Sequence, residues 1–281
     1  MTTAKKLGEV SWATFTPDES YPSPRSGHSI TCAPNGQTFI FGGCGVSDGG
    51  RTQETFSETW TLKMGDTPTW KLADVMGDIP PPRWRHTSTL LPDANSMLVF
   101  GGLQKRRRFN DVYVLTFDKL EWNIKECAGT PPHPRSHHTA NLIEFEPESE
   151  EDLVKQKIAI VGGYGGPNTS VDFFMDVHFL ELDTWTWVKV QNMRGPNPKP
   201  RSDHCSCFTR GILIVAGGRG WAAGKTDPGF YDDIHCLNIK KSALLHGHRT
   251  ARDGHANTHT HGRLPLSAVT LPAPAPDLSS A

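Results

Sequence analysis

The 281-residue sequence lacks the features that mark several common protein classes. Its 29 Lys and Arg residues nearly balance 30 Asp and Glu residues, so no excess of one charge would attract it to nucleic acid or to a membrane surface. No apolar run approaches the roughly 18 residues of a membrane helix, and the N-terminus has no signal-peptide core. We therefore expect a soluble protein of the cytoplasm that binds no nucleic acid and does not insert into membranes.

Cysteine and helical periodicity are also scarce. The six cysteines are too few and too scattered for a disulfide scaffold, and we expect them to be reduced. Cys205 and Cys207 lie beside His204, but no second pair follows at the spacing of a zinc site, so we predict no metal and no cofactor. No long stretch repeats its apolar residues with the 3.6-residue period of a helix.

Glycine and proline, in contrast, are abundant, with 27 and 22 residues, and the sequence repeats itself. One unit recurs four times and opens with the pattern Pro-Xaa-Pro-Arg-Xaa-Xaa-His. The four copies are Pro22–His28, Pro80–His86, Pro132–His138 and Pro198–His204. A short apolar run that ends in Gly-Gly follows each copy. The Gly-Gly pairs begin at Gly42, Gly101, Gly162 and Gly217.

Each unit continues with an aromatic and acidic segment. These segments are Phe56–Trp60, Phe109–Tyr113, Phe174–His178 and Tyr231–His235. The first three units then close on a Trp-containing segment, at Trp70, at Trp122, and at Trp185 with Trp187. All these segments are short, rich in Val, Ile, Phe and Trp, and bounded by Gly, Pro, Asn or Asp, which is typical of strands. Four short antiparallel strands in each repeat are typical of a β-propeller blade.

The double glycine, the aromatic and acidic strand and the Trp strand resemble the Kelch repeat, and the resemblance covers residues 10–238. It implies an all-β propeller of about four blades and, as in most Kelch proteins, a role in protein interaction. We expect an N-terminal lead at residues 1–9, the propeller at 10–241 and a tail at 242–281. The tail contains no Phe, Trp, Tyr or Ile and should be disordered.

The two ends of the repeat region differ from its middle. The fourth unit has no Trp strand after Cys236–Ile239, whereas a strand-like segment, Val10–Phe15, precedes the first unit. These could be two ragged ends of an incomplete family member. Alternatively, the Trp12 strand completes the last blade, because propellers avoid exposed sheet edges. The switch in composition after Lys241 also fits an alternative exon or a frame change.

Binding residues are expected on one face of the propeller. The loops between the second and third strands share that face with the Pro-rich links between blades. Its Arg side chains fit an acidic or phosphorylated segment of a partner protein. The predicted partner-binding residues are Arg25, Arg83, Trp84, Lys105, Arg106, Arg107, Arg108, Arg135, Arg201 and Trp221. The run Lys105–Arg108 has two other interpretations, a solvated loop and a nuclear localisation signal.

The repeated residues are better explained by structure than by catalysis. His28, His86, His138 and His204 recur once per blade, so we expect each to tie a link to the neighbouring blade. Some Kelch propellers are copper oxidases or iron-dependent lyases, and Asp232, Asp233 and His235 could be read as metal ligands. However, an acidic residue recurs at this strand in every unit. The sequence therefore predicts a non-catalytic interaction scaffold without catalytic residues; the alternative is a metal-dependent oxidase or lyase.

Overall fold

A computed structural model of the protein describes residues 14, 20–47, 52–65, 67–144, 156–166, 172–221 and 228–239. Every regular element within these ranges is a β-strand, which confirms the all-β prediction. No helix in this part of the chain has the length and apolarity that a membrane span needs. The predicted strand around Trp12 and the predicted tail at 242–281 lie outside the described residues.

The first blade is an antiparallel sheet in the order β1-β2-β5-β6, and a separate hairpin, β3–β4, joins its two middle strands. Its elements are β1 (Ser29–Cys32), β2 (Thr38–Phe41), β3 (Cys44–Ser47), β4 (Thr52–Thr55), β5 (Thr59–Lys63) and β6 (Thr69–Leu72).

The second blade repeats this plan with one addition. A two-residue strand from the preceding link, β7, pairs in parallel with the outermost strand, β13. The sheet order is β7-β13-β12-β9-β8, and the middle strands are joined by the hairpin β10–β11. The elements are β7 (Met76–Gly77), β8 (Thr87–Leu91), β9 (Ser96–Phe100), β10 (Leu103–Gln104), β11 (Arg107–Arg108), β12 (Val112–Thr116) and β13 (Glu121–Ile124).

The third blade has the same five-stranded order, β14-β18-β17-β16-β15, and the fourth has three described strands in the order β19-β20-β23. The third comprises β14 (Ala128–Gly129), β15 (Thr139–Ile143), β16 (Lys157–Tyr164), β17 (Phe173–Glu181) and β18 (Thr186–Lys189). The fourth comprises β19 (Cys205–Thr209), β20 (Ile212–Ala216), β23 (Ile234–Asn238) and the hairpin β21 (Arg219–Trp221) with β22 (Pro228–Phe230).

The core lies between successive blades. Side chains alternate across a strand, so each sheet has one face toward the preceding blade and one toward the next. In β9, Met97 and Val99 pack against the first blade, whereas Leu98 and Phe100 pack against the third. The innermost strands β1, β8, β15 and β19 lie side by side in that sequence. This four-blade arrangement confirms the propeller that the Kelch resemblance implies.

The Gly-Gly pairs lie where the link of the next blade crosses the end of a buried strand. Gly101 and Gly102 both have positive φ, at 66° and 95°, a backbone conformation that favours glycine. A Cβ on Gly101 would lie 2.8 Å from the carbonyl oxygen of Arg135. The amide of Gly102 donates to that same oxygen at 2.9 Å. The repeated glycines therefore join each blade to the next through close backbone contact.

Candidate protein-binding face

The links between blades and the hairpins β3–β4, β10–β11 and β21–β22 meet on one face, which we call the link face. In each blade one β-bridge joins the link to the start of the hairpin, or in the third blade to the end of β16. The bridges are Ser26–Cys44, Trp84–Leu103, Ser136–Tyr164 and Ser202–Arg219. The predicted sharing of this face by links and loops is therefore confirmed. The predicted binding residues divide into two groups, since some are used inside the fold and others remain accessible.

The four link arginines belong to the fold. The guanidinium of Arg135 donates two hydrogen bonds to Asp176, at 2.6 and 3.0 Å, and a third to the carbonyl of Gly162 at 2.9 Å. Arg83 pairs in the same way with Asp111, and Arg201 with Asp233. The side chains of Arg83, Arg135 and Arg201 are fully buried.

Arg25 makes the same kind of pair with Glu58, at 2.7 Å, and its side chain is almost fully buried. Each of the four guanidinium groups also lies over the aromatic ring that begins the third-strand segment, for example 4.1 Å from the centre of Phe56 for Arg25. We therefore correct the assignment of Arg25, Arg83, Arg135 and Arg201 as partner-binding residues, because their charges are already paired inside the blades.

The same pairing accounts for the acidic residue that recurs in every unit. Hydrogen bonds from Arg201 hold the pKa of Asp233 well below its usual range, and His235 also bonds to Asp233, at 2.9 Å. The carboxylate is thus committed to the blade, which leaves the metal-ligand interpretation of Asp232, Asp233 and His235 without support. The described residues contain no group of three or more His, Cys, Asp or Glu side chains that could hold a metal ion.

Three of the four link histidines join neighbouring blades, as their repetition predicts. The Nε2 atoms of His86, His138 and His204 bond to hydroxyl groups on the first strand of the preceding blade. These hydroxyls belong to Ser29, Thr87 and Thr139, at 2.8, 2.9 and 3.0 Å. Burial lowers the pKa of His86 to about 3 and that of His204 to about 4, because it disfavours the charged imidazolium. Both rings are therefore neutral at pH 7.

These histidines make stability depend on pH. In the unfolded chain they titrate near pH 6.5, so as the pH falls the unfolded state takes up protons before the folded state does. The free energy of unfolding should therefore decrease from about pH 7 to about pH 4, by up to about 1.4 kcal/mol per pH unit for each histidine. Urea unfolding at pH 7.5 and 5 measures this loss. His204→Gln should reduce it and His133→Gln, at an exposed position, should not; equal slopes for both variants would contradict the assignment.

A belt of backbone hydrogen bonds runs around the centre of the link face. Each link places one residue with φ between 55° and 63° just before its histidine, and these residues are Gly27, Arg85, His137 and Asp203. The amide of Arg85 donates to the carbonyl of Gly27, that of His137 to Arg85, and that of Asp203 to His137. Left-handed backbone at residues other than glycine is uncommon and concentrates at functional sites.

The belt side chains line a central depression of about 310 Å³. Asp203 lies 3.6 Å from Arg85 and 3.9 Å from Arg219, so two exposed guanidinium groups share one carboxylate. His137 lies beside them, and burial lowers its pKa to about 4, which leaves its ring neutral. The centre of the link face therefore has an excess of positive charge.

A row of aromatic side chains crosses the same region. Ring centres are separated by 6.1 Å between Trp84 and His137, and by 6.4 Å between His137 and Tyr164. The row continues to Phe173 at 5.1 Å and then to Trp221 at 6.0 Å. Trp221 is 45% exposed and Trp84 is half-buried. The structure thus places both predicted Trp anchors at the two ends of one aromatic row.

The basic hairpin borders this row. Lys105, Arg106 and Arg107 are exposed, and the guanidinium of Arg108 lies 4.8 Å from the centre of the Tyr164 ring. A groove of about 380 Å³ runs beside Trp84, and its lining includes Gln104 and Lys105. The hairpin, the row and the two arginines beside Asp203, Arg85 and Arg219, together form a surface that we call the aromatic–arginine platform.

Sequence reasoning missed the belt residues and Arg219. Arg85, His137 and Asp203 occupy one fixed position in successive repeats, yet their side chains differ completely. This variation is the sequence feature that could have identified them as candidate binding residues. Residues that recur in every blade serve the fold, whereas a position whose side chain varies from blade to blade is available for binding.

Comparison with known proteins agrees with this architecture. The model of the KLHDC2/KLHL20/DRC7 Kelch-repeats domain matches residues 45–246. The chain is 33% identical over 245 residues to the dynein alpha chain of the flagellar outer arm from Chlamydomonas reinhardtii, covering 83% of this chain and 5% of that one. It is 31% identical over 237 residues to the Rab9 effector protein with kelch motifs from Bos taurus, covering 82% and 56%.

The chain therefore spans about half the length of the Rab9 effector protein and a small part of the dynein chain. A solved structure titled "Structure of YjhT" shares the fold, with a TM-score of 0.56 and 15% identity, over 76% of this chain and 68% of that one. The repeated Arg–acid pairs, the Gly-Gly crossings and the family match lead to one conclusion: the chain belongs to the Kelch-repeat family.

Proposed function

We propose that this protein is a non-catalytic interaction module that binds an acidic or phosphorylated segment of a partner protein on the aromatic–arginine platform. The observation that carries the proposal is the pair of exposed arginines, Arg85 and Arg219, which share the single carboxylate of Asp203 beside an aromatic row. We place this function in the cytoplasm, with the nucleus as the alternative that the run Lys105–Arg108 suggests.

Charge supports an anionic partner. Arg85 and Arg219 carry two positive charges against one negative charge, while His137 is neutral at pH 7. An arriving carboxylate or phosphate would compensate the remaining charge, and the planar guanidinium can bind either group through two parallel hydrogen bonds. The exposed cations of Lys105–Arg107 would attract the same segment from a distance.

The aromatic side chains supply the apolar part of the contact. Interfaces favour Trp and Tyr because these residues bury a large area with few rotatable bonds. Trp221 is available at one end of the row, and the groove beside Trp84 has room for a side chain at the other. The relative that is named an effector of Rab9 supports a protein partner in general, although the chain covers only 56% of it.

Charge reversal on the platform tests this proposal. The probes are fluorescein-labelled dodecapeptides that contain one Phe and are rich in Glu, with matched phosphoserine and Gln versions. The double variant Arg85→Glu, Arg219→Glu should weaken binding of the Glu peptide about 100-fold, since two charge-assisted contacts become repulsive. Fluorescence anisotropy measures the Kd values.

The control reverses two exposed lysines, Lys63 and Lys119, near the turns that follow the third strands of the first and second blades. Lys63→Glu, Lys119→Glu makes the same change in net charge and should leave the Kd within about twofold. Equal weakening by both double variants, or equal affinity of wild type for the Glu and Gln peptides, would overturn the proposal.

A further inference from the structure

Asp203 is fixed at the centre of the link face, in the depression that the belt side chains line. Its backbone has a φ of 55°, a left-handed conformation that Asp and Asn adopt more readily than most other residues. Its amide donates to the carbonyl of His137 at 3.1 Å, and the hydroxyl of Ser202 donates to its Oδ2 atom at 2.8 Å. Ser202 is itself buried. The carboxylate therefore occupies a position that the fold determines.

This carboxylate lies near two arginines without forming hydrogen bonds to them. Its oxygens are 3.6 Å from Arg85 and 3.9 Å from the Nε atom of Arg219, and both distances exceed the range of a hydrogen bond. The buried pair of Arg135 and Asp176 differs, since its two hydrogen bonds measure 2.6 and 3.0 Å. Asp203 therefore lowers the positive charge of the site, while the N–H groups that face it from Arg85 and Arg219 stay available to a ligand.

The other residues of the depression contribute little charge at neutral pH. Burial lowers the pKa of His137 to about 4 and holds that of His138 well below its ordinary value, so both rings are neutral. Burial also lowers the pKa values of His28, His86 and His204, which line the depression as well. The two arginines and the one aspartate therefore leave one net positive charge at the centre.

A centre with one net positive charge matches a carboxylate better than a phosphate. The side chain of Glu or Asp carries one negative charge, whereas phosphoserine carries about 1.5 to 2 at pH 7. Attraction to the site grows in proportion to the charge of the ligand, but the cost of removing its water grows with the square of that charge. A group bound by Arg85 and Arg219 also lies beside Asp203, which repels a dianion more strongly than a monoanion. Arg108 adds positive charge at the border, where its guanidinium lies over the ring of Tyr164.

We infer that Asp203 determines the specificity of the aromatic–arginine platform, so that the platform selects a Glu or Asp side chain of the partner over a phosphorylated residue. This inference rests on the proposed function and narrows the class of its ligand. Asp203→Asn separates the charge from the structural role, because Asn also adopts left-handed backbone and its amide oxygen can accept from Ser202. The variant removes the one negative charge of the centre, which favours a dianion.

Peptides with a single anionic residue test the inference. Four fluorescein-labelled dodecapeptides contain one Phe and differ at one central position, which is Glu, phosphoserine, O-sulfoserine or Gln. Wild type should bind the Glu peptide about fivefold more tightly than the phosphoserine peptide at pH 7.5. Asp203→Asn should strengthen binding of the Glu peptide about threefold and of the phosphoserine peptide about 30-fold, which reverses the preference. Fluorescence anisotropy measures the Kd values.

Two controls separate charge from shape and from net charge. O-sulfoserine has the tetrahedral shape of phosphoserine but one negative charge, so Asp203→Asn should strengthen its binding about threefold, as for Glu. Asp118 is exposed in the turn between β12 and β13, and Asp118→Asn removes the same charge outside the depression. This variant should leave the ratio of the Glu and phosphoserine Kd values within about twofold of wild type.

The outcomes distinguish this inference from the proposed function. An unchanged Kd ratio in Asp203→Asn, a wild-type preference for phosphoserine, equal weakening of all the peptides, or sulfoserine binding that changes as much as phosphoserine binding would each overturn the inference. The proposed function survives these results as long as the Glu and phosphoserine peptides bind wild type more tightly than the Gln peptide does. Equal affinity of wild type for the Glu, phosphoserine and Gln peptides would overturn the proposed function and this inference with it.

Discussion

Replacing Arg135 by alanine should lower the free energy of unfolding by about 3–5 kcal/mol, which is among the largest effects expected for any single substitution in this protein. The guanidinium is fully buried, and its loss leaves the carboxylate of Asp176 and the carbonyl of Gly162 without their donors. Burial alone would raise the pKa of the Asp176 carboxyl, but hydrogen bonds from His178 and Arg135 hold that pKa well below its usual range. Urea unfolding at pH 7.5, followed by Trp fluorescence, measures the change.

Arg106→Ala is the matched control. Arg106 is an exposed arginine of the basic hairpin, so its removal should change the unfolding free energy by less than about 0.5 kcal/mol. Arg135→Lys should recover only part of the loss, because an ammonium cannot donate to both carboxylate oxygens in the geometry of a fork. A cost for Arg135→Ala as small as that for Arg106→Ala would contradict a structural role for the link arginines.

Trp122→Ala should cost a similar amount, about 3–5 kcal/mol. The side chain is fully buried between the first and second blades, where it contacts Phe41 and donates to Thr59. Its removal leaves a cavity that the neighbouring sheets cannot fill without moving apart. The transition midpoint in urea should fall accordingly, with an unchanged m-value if the change acts on the folded state alone.

Trp221→Ala provides the contrast, because this indole lies on the link face and is 45% exposed. We expect a stability loss below about 1 kcal/mol, together with weaker binding of the Glu peptide. The two tryptophans therefore separate two roles: Trp122 holds blades together, and Trp221 lies on the surface that we propose for partner binding. Trp122→Ala with wild-type stability would show that the blades do not depend on this contact.

The repeat made most of the fold predictable. The apolar runs that end in Gly-Gly, the aromatic and acidic segments and the Trp segments occur at corresponding places in successive units, and they overlap the second, third and fourth strands of the blades. The short parallel strands β7 and β14 lie in the links and were not predicted. The role of His86, His138 and His204 was also predictable, since a residue that recurs in each blade must meet a contact that recurs in each blade. Their hydrogen bonds to the preceding blade confirm this reasoning.

The link arginines recur in the same way, and their burial corrects their assignment to the binding surface. Arg83 and Arg135 recur as regularly as the histidines, and Asp111 and Asp176 recur with them, so an internal pair was implied by the sequence. The sequence shows which residues repeat but not which way their side chains point, and a link on the binding face can direct its Arg inward. Only three-dimensional geometry distinguishes the buried Arg83 from the exposed Arg85, two positions later.

The platform itself could not be predicted from a single repeat. Trp84, Tyr164 and Trp221 are contributed by three different blades, and they form one row only after the blades are arranged around the axis. The left-handed backbone at Arg85, His137 and Asp203 could not be predicted from the sequence either, because none of these residues is glycine. In this protein, residues that recur in every blade hold the blades together, and residues that vary at a fixed position of the link face are available for partner binding.

The most direct test of that division is a charge-swap measurement on the platform. Kd values are determined for the Glu dodecapeptide and for a Lys counterpart of equal length, with wild type and with the Arg85→Glu, Arg219→Glu variant. Wild type should prefer the Glu peptide, and the variant should prefer the Lys peptide while it keeps wild-type stability. The same peptide preference in both proteins would contradict the assignment of this face as the site that binds acidic partners.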